Sequence, residues 1–149
     1  MKTILKHVAT LWFVGYIPLA PGTFGSLVPF MAVYAFGLTN KTVVTSAIVL
    51  FFVGIVAASV AEKESGKKDP GHVVIDEVVG YLVAISYLDH KFMILFLAFL
   101  LFRLFDIWKP PPVNYFECKF SGGTGIMLDD VAAGIYVNII FQIATRMYF

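Results

Sequence analysis

Polar residues interrupt this chain at only a few places, and the apolar stretches between them set the expected elements. Leu27 to Leu38 is a short apolar segment after a stretch rich in proline and glycine. Thr42 to Ala61 carries no charge across 20 residues, long enough to cross a bilayer as a helix. Val73 to Leu88 is apolar except for Asp76 and Glu77 near its start. Phe92 to Phe102 is strongly apolar and continues through Arg103 to Ile107. Ile126 to Phe149 is apolar except for Asp129 and Asp130 near its start and Arg146 near its end. Valine-rich 73–79 has strand propensity, but a lone strand has no partner for its backbone here, so helix is expected. The connections are 39–41, 62–72, 89–91 and 109–125. The last holds three consecutive prolines and a glycine pair, which exclude regular helix. The expectation is an all-α fold: one domain over 1–149, a compact membrane-embedded bundle of about four to five apolar helices.

Composition strengthens the membrane reading. Hydrophobic residues make up 59% of the chain and charged ones 14%, with a mean hydropathy of +0.84. A soluble domain is about half apolar and about a quarter charged. The net charge of +1, with only two arginines, excludes a nucleic-acid surface. The single cysteine, Cys118, has Thr124 six positions on, where a thiol phosphatase needs arginine. Lys2 and Lys6 give the N-terminus a basic flavour, but the apolar run after them is broken by Gly15, Pro18, Pro21 and Gly22. Residues 1–20 therefore read as mature protein, an interfacial amphipathic helix with Leu5, Val8, Trp12 and Phe13 toward lipid.

If all five segments cross, with the N-terminus in the cytoplasm, eight of the eleven Lys and Arg fall inside, as the positive-inside rule favours. Nine of the ten acids fall on the same side, Asp89 alone outside. The fold-back thus gathers 16–26, 62–77, 103–113 and 121–130 at one membrane face.

Each motif has a structural and a functional reading. In "PLAPGTFGS" (18–26), Thr23 and Ser26 cap a helix after a turn, or sit beside backbone N–H groups that bind an anion. In "DPGHVVIDEVVG" (69–80), Asp76 and Glu77 complement a helix dipole, or mark a site, since acids at membrane depth are costly. His72 is a capping residue or a proton carrier. In "FRLFDIWKPPP" (102–112), Arg103, Asp106 and Lys109 are spaced for an intrahelical ion pair, or for a metal at Asp106 and phosphate at Arg103 or Lys109. In "GGTGIMLDDVAAG" (122–134), Asp129 and Asp130 exceed what a helix start needs, and adjacent helical residues point about 100° apart. Together Asp76, Glu77, Asp106, Asp129 and Asp130 form an oxygen-rich cluster that suits Mg²⁺ with a substrate phosphate.

These four motifs, in this order, resemble the phosphatidylglycerophosphatase A family over about residues 10–140. The resemblance implies a helical, Mg²⁺-dependent lipid phosphatase of the bacterial inner membrane. It would hydrolyse phosphatidylglycerophosphate to phosphatidylglycerol and inorganic phosphate at the cytoplasmic face. The residues themselves assign Asp76, Asp106, Asp129 and Asp130 as ligands, Glu77 as ligand or base, and Arg103, Lys109 and Thr23 to the phosphate. No Asp-x-Asp-x-Thr run occurs, nor paired Arg/His motifs, which favours water over a covalent intermediate. A rival reading is a non-enzymatic protein that binds or conducts a divalent cation, but only Asp89 lies toward the outer face. A CDP-alcohol transferase is disfavoured because its spaced Asp signature is absent. Gly54, Ala57, Ala58 and Ala61 allow close helix packing, within a monomer or between copies.

Overall fold

The computed structural model of the chain describes every residue except 112, 114, 116–118 and 149. Its described residues form six α-helices and one 3₁₀ turn, Val14–Tyr16, with no strand. The helices are α1 (Lys2–Ala9), α2 (Pro21–Phe36), α3 (Asn40–Ser65), α4 (Ile75–Ile85), α5 (Phe92–Trp108) and α6 (Gly123–Tyr148). Cys118 lies outside the described residues.

Local chemistry accounts for most boundaries. Pro21 occupies the first turn of α2, and Gly37 ends it in the left-handed region, the asymmetry helices favour. Thr39 caps α3 by accepting from the Thr42 N–H. Asn138 Nδ2 reaches the carbonyls of Val83, Ala84 and Ser86 at 3.3, 3.1 and 2.6 Å. It thereby satisfies acceptors that the end of α4 leaves free.

The valine-rich segment is helical, as expected, and α4 is the centre of the molecule. Nine of its 11 residues are buried, enclosed by α2, α3, α5 and α6. The closest approach is to α6. A Cβ on Gly134 would collide with the Gly80 carbonyl, and one on Gly80 with the Asp130 carbonyl and Phe102. Two backbones can touch only where side chains are missing. On one side of α4 the core is aromatic, with Phe30, Tyr81 and Phe102. On the other it is built from small residues, Ala57, Ala58 and Ala61 against Ile75 and Met127. The small-residue stripe of α3 is thus engaged within this chain.

Two expectations need correction, and the helical bundle is met in its coarser part, an all-helical fold of the described residues. The glycine-rich starts are helical: Pro21–Ser26 lies in the first turns of α2 and Gly123–Gly125 opens α6. Residues 1–20 do not form one amphipathic helix. The first helix stops at Ala9, Leu5 and Val8 pack against the small-residue core, and Trp12 and Phe13 stand exposed beyond it. Finally, among the described residues only α3 and α6 are long and apolar enough to cross a membrane. Their outer faces expose Ile48, Phe52 and Val56, and Ile135, Ile139 and Ile143.

Candidate active site

The four polar motifs meet at one end of this bundle. Two come from α4 and α6, whose contact at Gly80 and Gly134 brings Asp76 and Glu77 toward Asp130. One oxygen from each of these three acids lies within 4.8 Å of the others. Asp76 is 6% exposed and Asp130 3%. Asp76 Oδ1, Glu77 Oε2 and Asp130 Oδ2 are buried without a hydrogen-bond partner. Buried acceptors are nearly always satisfied, and three converging carboxylates repel where water does not screen them. This arrangement calls for a positive group between the oxygens.

The neighbouring pair resolves differently. Asp129, also 3% exposed, accepts a 2.7 Å hydrogen bond from Lys109 Nζ. Its other oxygen accepts from the Asp130 N–H at 3.0 Å. Lys109 is held for this by ending α5 in the left-handed region, with its N–H on the Phe105 carbonyl. The two adjacent aspartates therefore serve different partners: one faces a lysine, the other the acid triad.

Arg103 forms a close ion pair with Asp106, one turn along α5, and lies 3.9 Å from Glu77 Oε1. Its Nε has no hydrogen-bond partner. The start of α2 closes this side. A Cβ on Gly22 would collide with Glu77 Oε1 and crowd the Arg103 guanidinium, so only glycine lets the helix approach.

Not every expected residue joins the cluster. Thr23 is half-buried in the same first turn of α2. Ser26 is fully buried and donates back to the Gly22 carbonyl at 2.8 Å, which engages its proton inside the helix. His72 stacks on Tyr16 at 5.5 Å. Burial, then the charges of Lys6 and Lys67, hold its pKa below the usual histidine value. Two contributors escaped the sequence reading. Gly22 was visible only as a turn former. Asp69 lies close enough to act electrostatically on both Asp76 and Asp129, and its place in the same motif as Asp76 was the available signal.

The site therefore sets an arginine and a lysine beside three carboxylate oxygens that lack a partner. Comparison with known proteins agrees. The family model described as Phosphatidylglycerophosphatase A matches residues 7–145. The chain belongs to the phosphatidylglycerophosphatase A family. Three curated relatives are similar to it along most of their length. A Bacteroides thetaiotaomicron protein, provisionally named a phosphatidylinositol-3-phosphatase, is 42% identical, with 87% of this chain and 86% of the relative covered. The phosphatidylglycerophosphatase A of Haemophilus influenzae is 36% identical, covering 85% and 79%. That of Escherichia coli is 32% identical, covering 81% and 72%. No solved structure shows significant similarity to the chain. For this phosphatidylglycerophosphatase A family member, three of the four motifs that carried the resemblance supply the acids and cations that converge, and the first supplies the glycine-rich helix start beside them.

Proposed function

We propose that this protein removes the terminal phosphate of phosphatidylglycerophosphate, giving phosphatidylglycerol and inorganic phosphate, at the surface of a membrane that its helices enter. Family membership and the names of the two phosphatidylglycerophosphatase A relatives support the reaction. The observation that carries the mechanism is the convergence of three carboxylates, each with one buried oxygen that has no hydrogen-bond partner, beside Arg103 and Lys109.

The triad fits a hard divalent cation, with Mg²⁺ as the proposed one. Mg²⁺–oxygen bonds of about 2.0–2.1 Å hold ligand oxygens at most about 4.2 Å apart, so the three acids, now within 4.8 Å of one another, would draw in slightly around the ion. Asp76, Glu77 and Asp130 would hold it. When bound, such an ion supplies charge stabilisation for the phosphoryl oxygens and acidifies water.

The chain's own groups supply the rest. Arg103 and Lys109 receive phosphate oxygens, while Asp106 and Asp129 fix the two cations in place. This refines the assignment of Asp106 and Asp129 from ligands to holders of the phosphate clamp. Gly22 admits the substrate phosphate beside the guanidinium, and Thr23 offers a hydroxyl at the same helix start. Glu77, ligand or base, is the carboxylate placed to accept the proton as water attacks phosphorus. The phosphorus–oxygen bond to the glycerol headgroup breaks, and the leaving oxygen takes up a proton.

Exposure supports membrane insertion. Outward faces of α3, α5 and α6 carry the exposed apolar residues Ile48, Phe52, Leu97, Leu100, Leu104, Ile139 and Ile143, and exposed apolar faces of this kind mark membrane or protein contacts. We assign α3 and α6 as full spans. Helices α2 and α5, of 16 and 17 residues, complete the embedded bundle around α4, with the acid end cytoplasmic.

The test is phosphate release from phosphatidylglycerophosphate by purified protein in detergent, with phosphatidylinositol 3-phosphate assayed in parallel. Release with Mg²⁺ and its loss in EDTA are expected. Undiminished release after complete metal removal would discard the carboxylate–metal assignment. A strong preference for the inositol lipid would move the substrate toward the one named for the Bacteroides relative.

A further inference from the structure

An apolar groove of about 380 Å³ lies between α3, α4 and α6. Its walls include Ile48, Phe51 and Phe52 of α3, Val79 and Val83 of α4, and Val131 of α6. The groove shares its helices with the acids. Val79 follows Asp76 by one turn, on the same side of α4, and Val131 is the residue after Asp130.

Its depth can be placed from the packing of α3. A Cβ on Gly54 would meet Met127 and Ile75, so Gly54 lies level with the start of α4. Phe52 and Phe51, two and three residues back along α3, therefore lie level with the first turn that carries Asp76 and Glu77. Ile48 is one turn deeper. The groove thus starts at the height of the acids and runs into the apolar part of the bundle. No charged or hydrogen-bonding side chain is among its lining residues.

We propose that this groove holds an acyl chain of the phospholipid substrate while its headgroup phosphate sits at the acid triad. The proposal rests on the lipid phosphatase reading above. A lipid phosphate drawn to the buried acids and their neighbouring cations brings its own chains to the level at which this groove begins. An apolar trough on the helices that carry the acids gives them a place without dragging apolar surface past charge. The groove between α5 and α6 is less suited. It is lined by Leu97, Leu104 and Ala144, and on α6 it begins well over two turns beyond Asp130.

The test uses Ile48→Trp, which narrows the groove at a position 54% exposed and so tolerant of a larger ring. The reading is the ratio of kcat/KM for dioleoyl to dihexanoyl phosphatidylglycerophosphate. A fall in this ratio on the order of tenfold is expected, chiefly through KM for the long-chain lipid. Leu100→Trp, in the α5–α6 groove, should leave the ratio as in the wild type. An unchanged ratio in Ile48→Trp, or an equal fall in Leu100→Trp, overturns the proposal while phosphatase activity stands. Wild-type protein inactive on both lipids overturns the phosphatase reading and the groove with it. A direct readout is labelling by phosphatidylglycerol with a photoreactive acyl chain. Adducts concentrated at 48–52, and lost in Ile48→Trp, are expected. Labelling spread evenly over every outward apolar face, or confined to a contact between two copies, would refute the assignment.

Discussion

The two ends of α4 treat buried polar groups in opposite ways. At its C-terminal end, Asn138 engages three carbonyls, and Asn40 donates to Leu88 O and accepts from the Tyr87 N–H. Polar side chains there close the helix ends and add nothing more. At the N-terminal end, three acids keep oxygens with no partner at all. An end built only for stability would replace such acids, because each unsatisfied buried acceptor costs about 1–3 kcal/mol, and more when charged. The contrast separates a polar group that stabilises the fold from one the fold must tolerate.

Substitution should reverse the two ends' behaviour. Asp130→Asn or Asp76→Asn should lower phosphate release about a thousandfold or more, while the thermal midpoint in EDTA holds or rises as one like charge disappears. Near-normal turnover in either variant would remove that acid from the mechanism. Asn138→Ala should do the opposite, costing about 1–3 kcal/mol of stability with turnover per folded molecule unchanged. A drop in kcat at full folding would mean that the far end communicates with the acids.

The smallest effect concerns His72, on the rim. Its folded pKa lies below the unfolded value, so the unfolded chain binds the proton more tightly. Its contribution to stability is therefore lost as the pH falls below about 6.5. The His72 ring should titrate by NMR at lower pH than a free histidine. A midpoint at or above the ordinary value would show that burial and the charges of Lys6 and Lys67 do not govern the ring.

Much of this was legible in the residues. Apolar runs marked the helices, and motif order brought Asp76, Asp106 and Asp130 to one end because each motif borders a turn at the same side of the bundle. The division of labour between Asp129 and Asp130 was only half legible. Their 100° separation showed that one face could not take both, but that Lys109 would claim Asp129 depends on the left-handed end of α5, which no spacing reveals. The same limit hid Gly22, whose role is an approach between distant helices. It also misled at Pro21–Ser26, where proline and glycine read as a turn although proline suits the first turn of a helix. Leu5 and Val8 carried a lipid-facing pattern that tertiary packing on α3 redirected inward.

The short central helix has a further consequence. At 11 residues, α4 is about 16 Å long, roughly half the hydrocarbon thickness of a bilayer. With α3 and α6 as the proposed spans, these outer helices are the ones that would tilt when that thickness varies. Sheathed by its neighbours, α4 does not have to match the bilayer. The spacing of Asp76 and Glu77 is then set by protein alone, whereas Asp130, carried on α6, is the member of the triad that a change in bilayer thickness would reach.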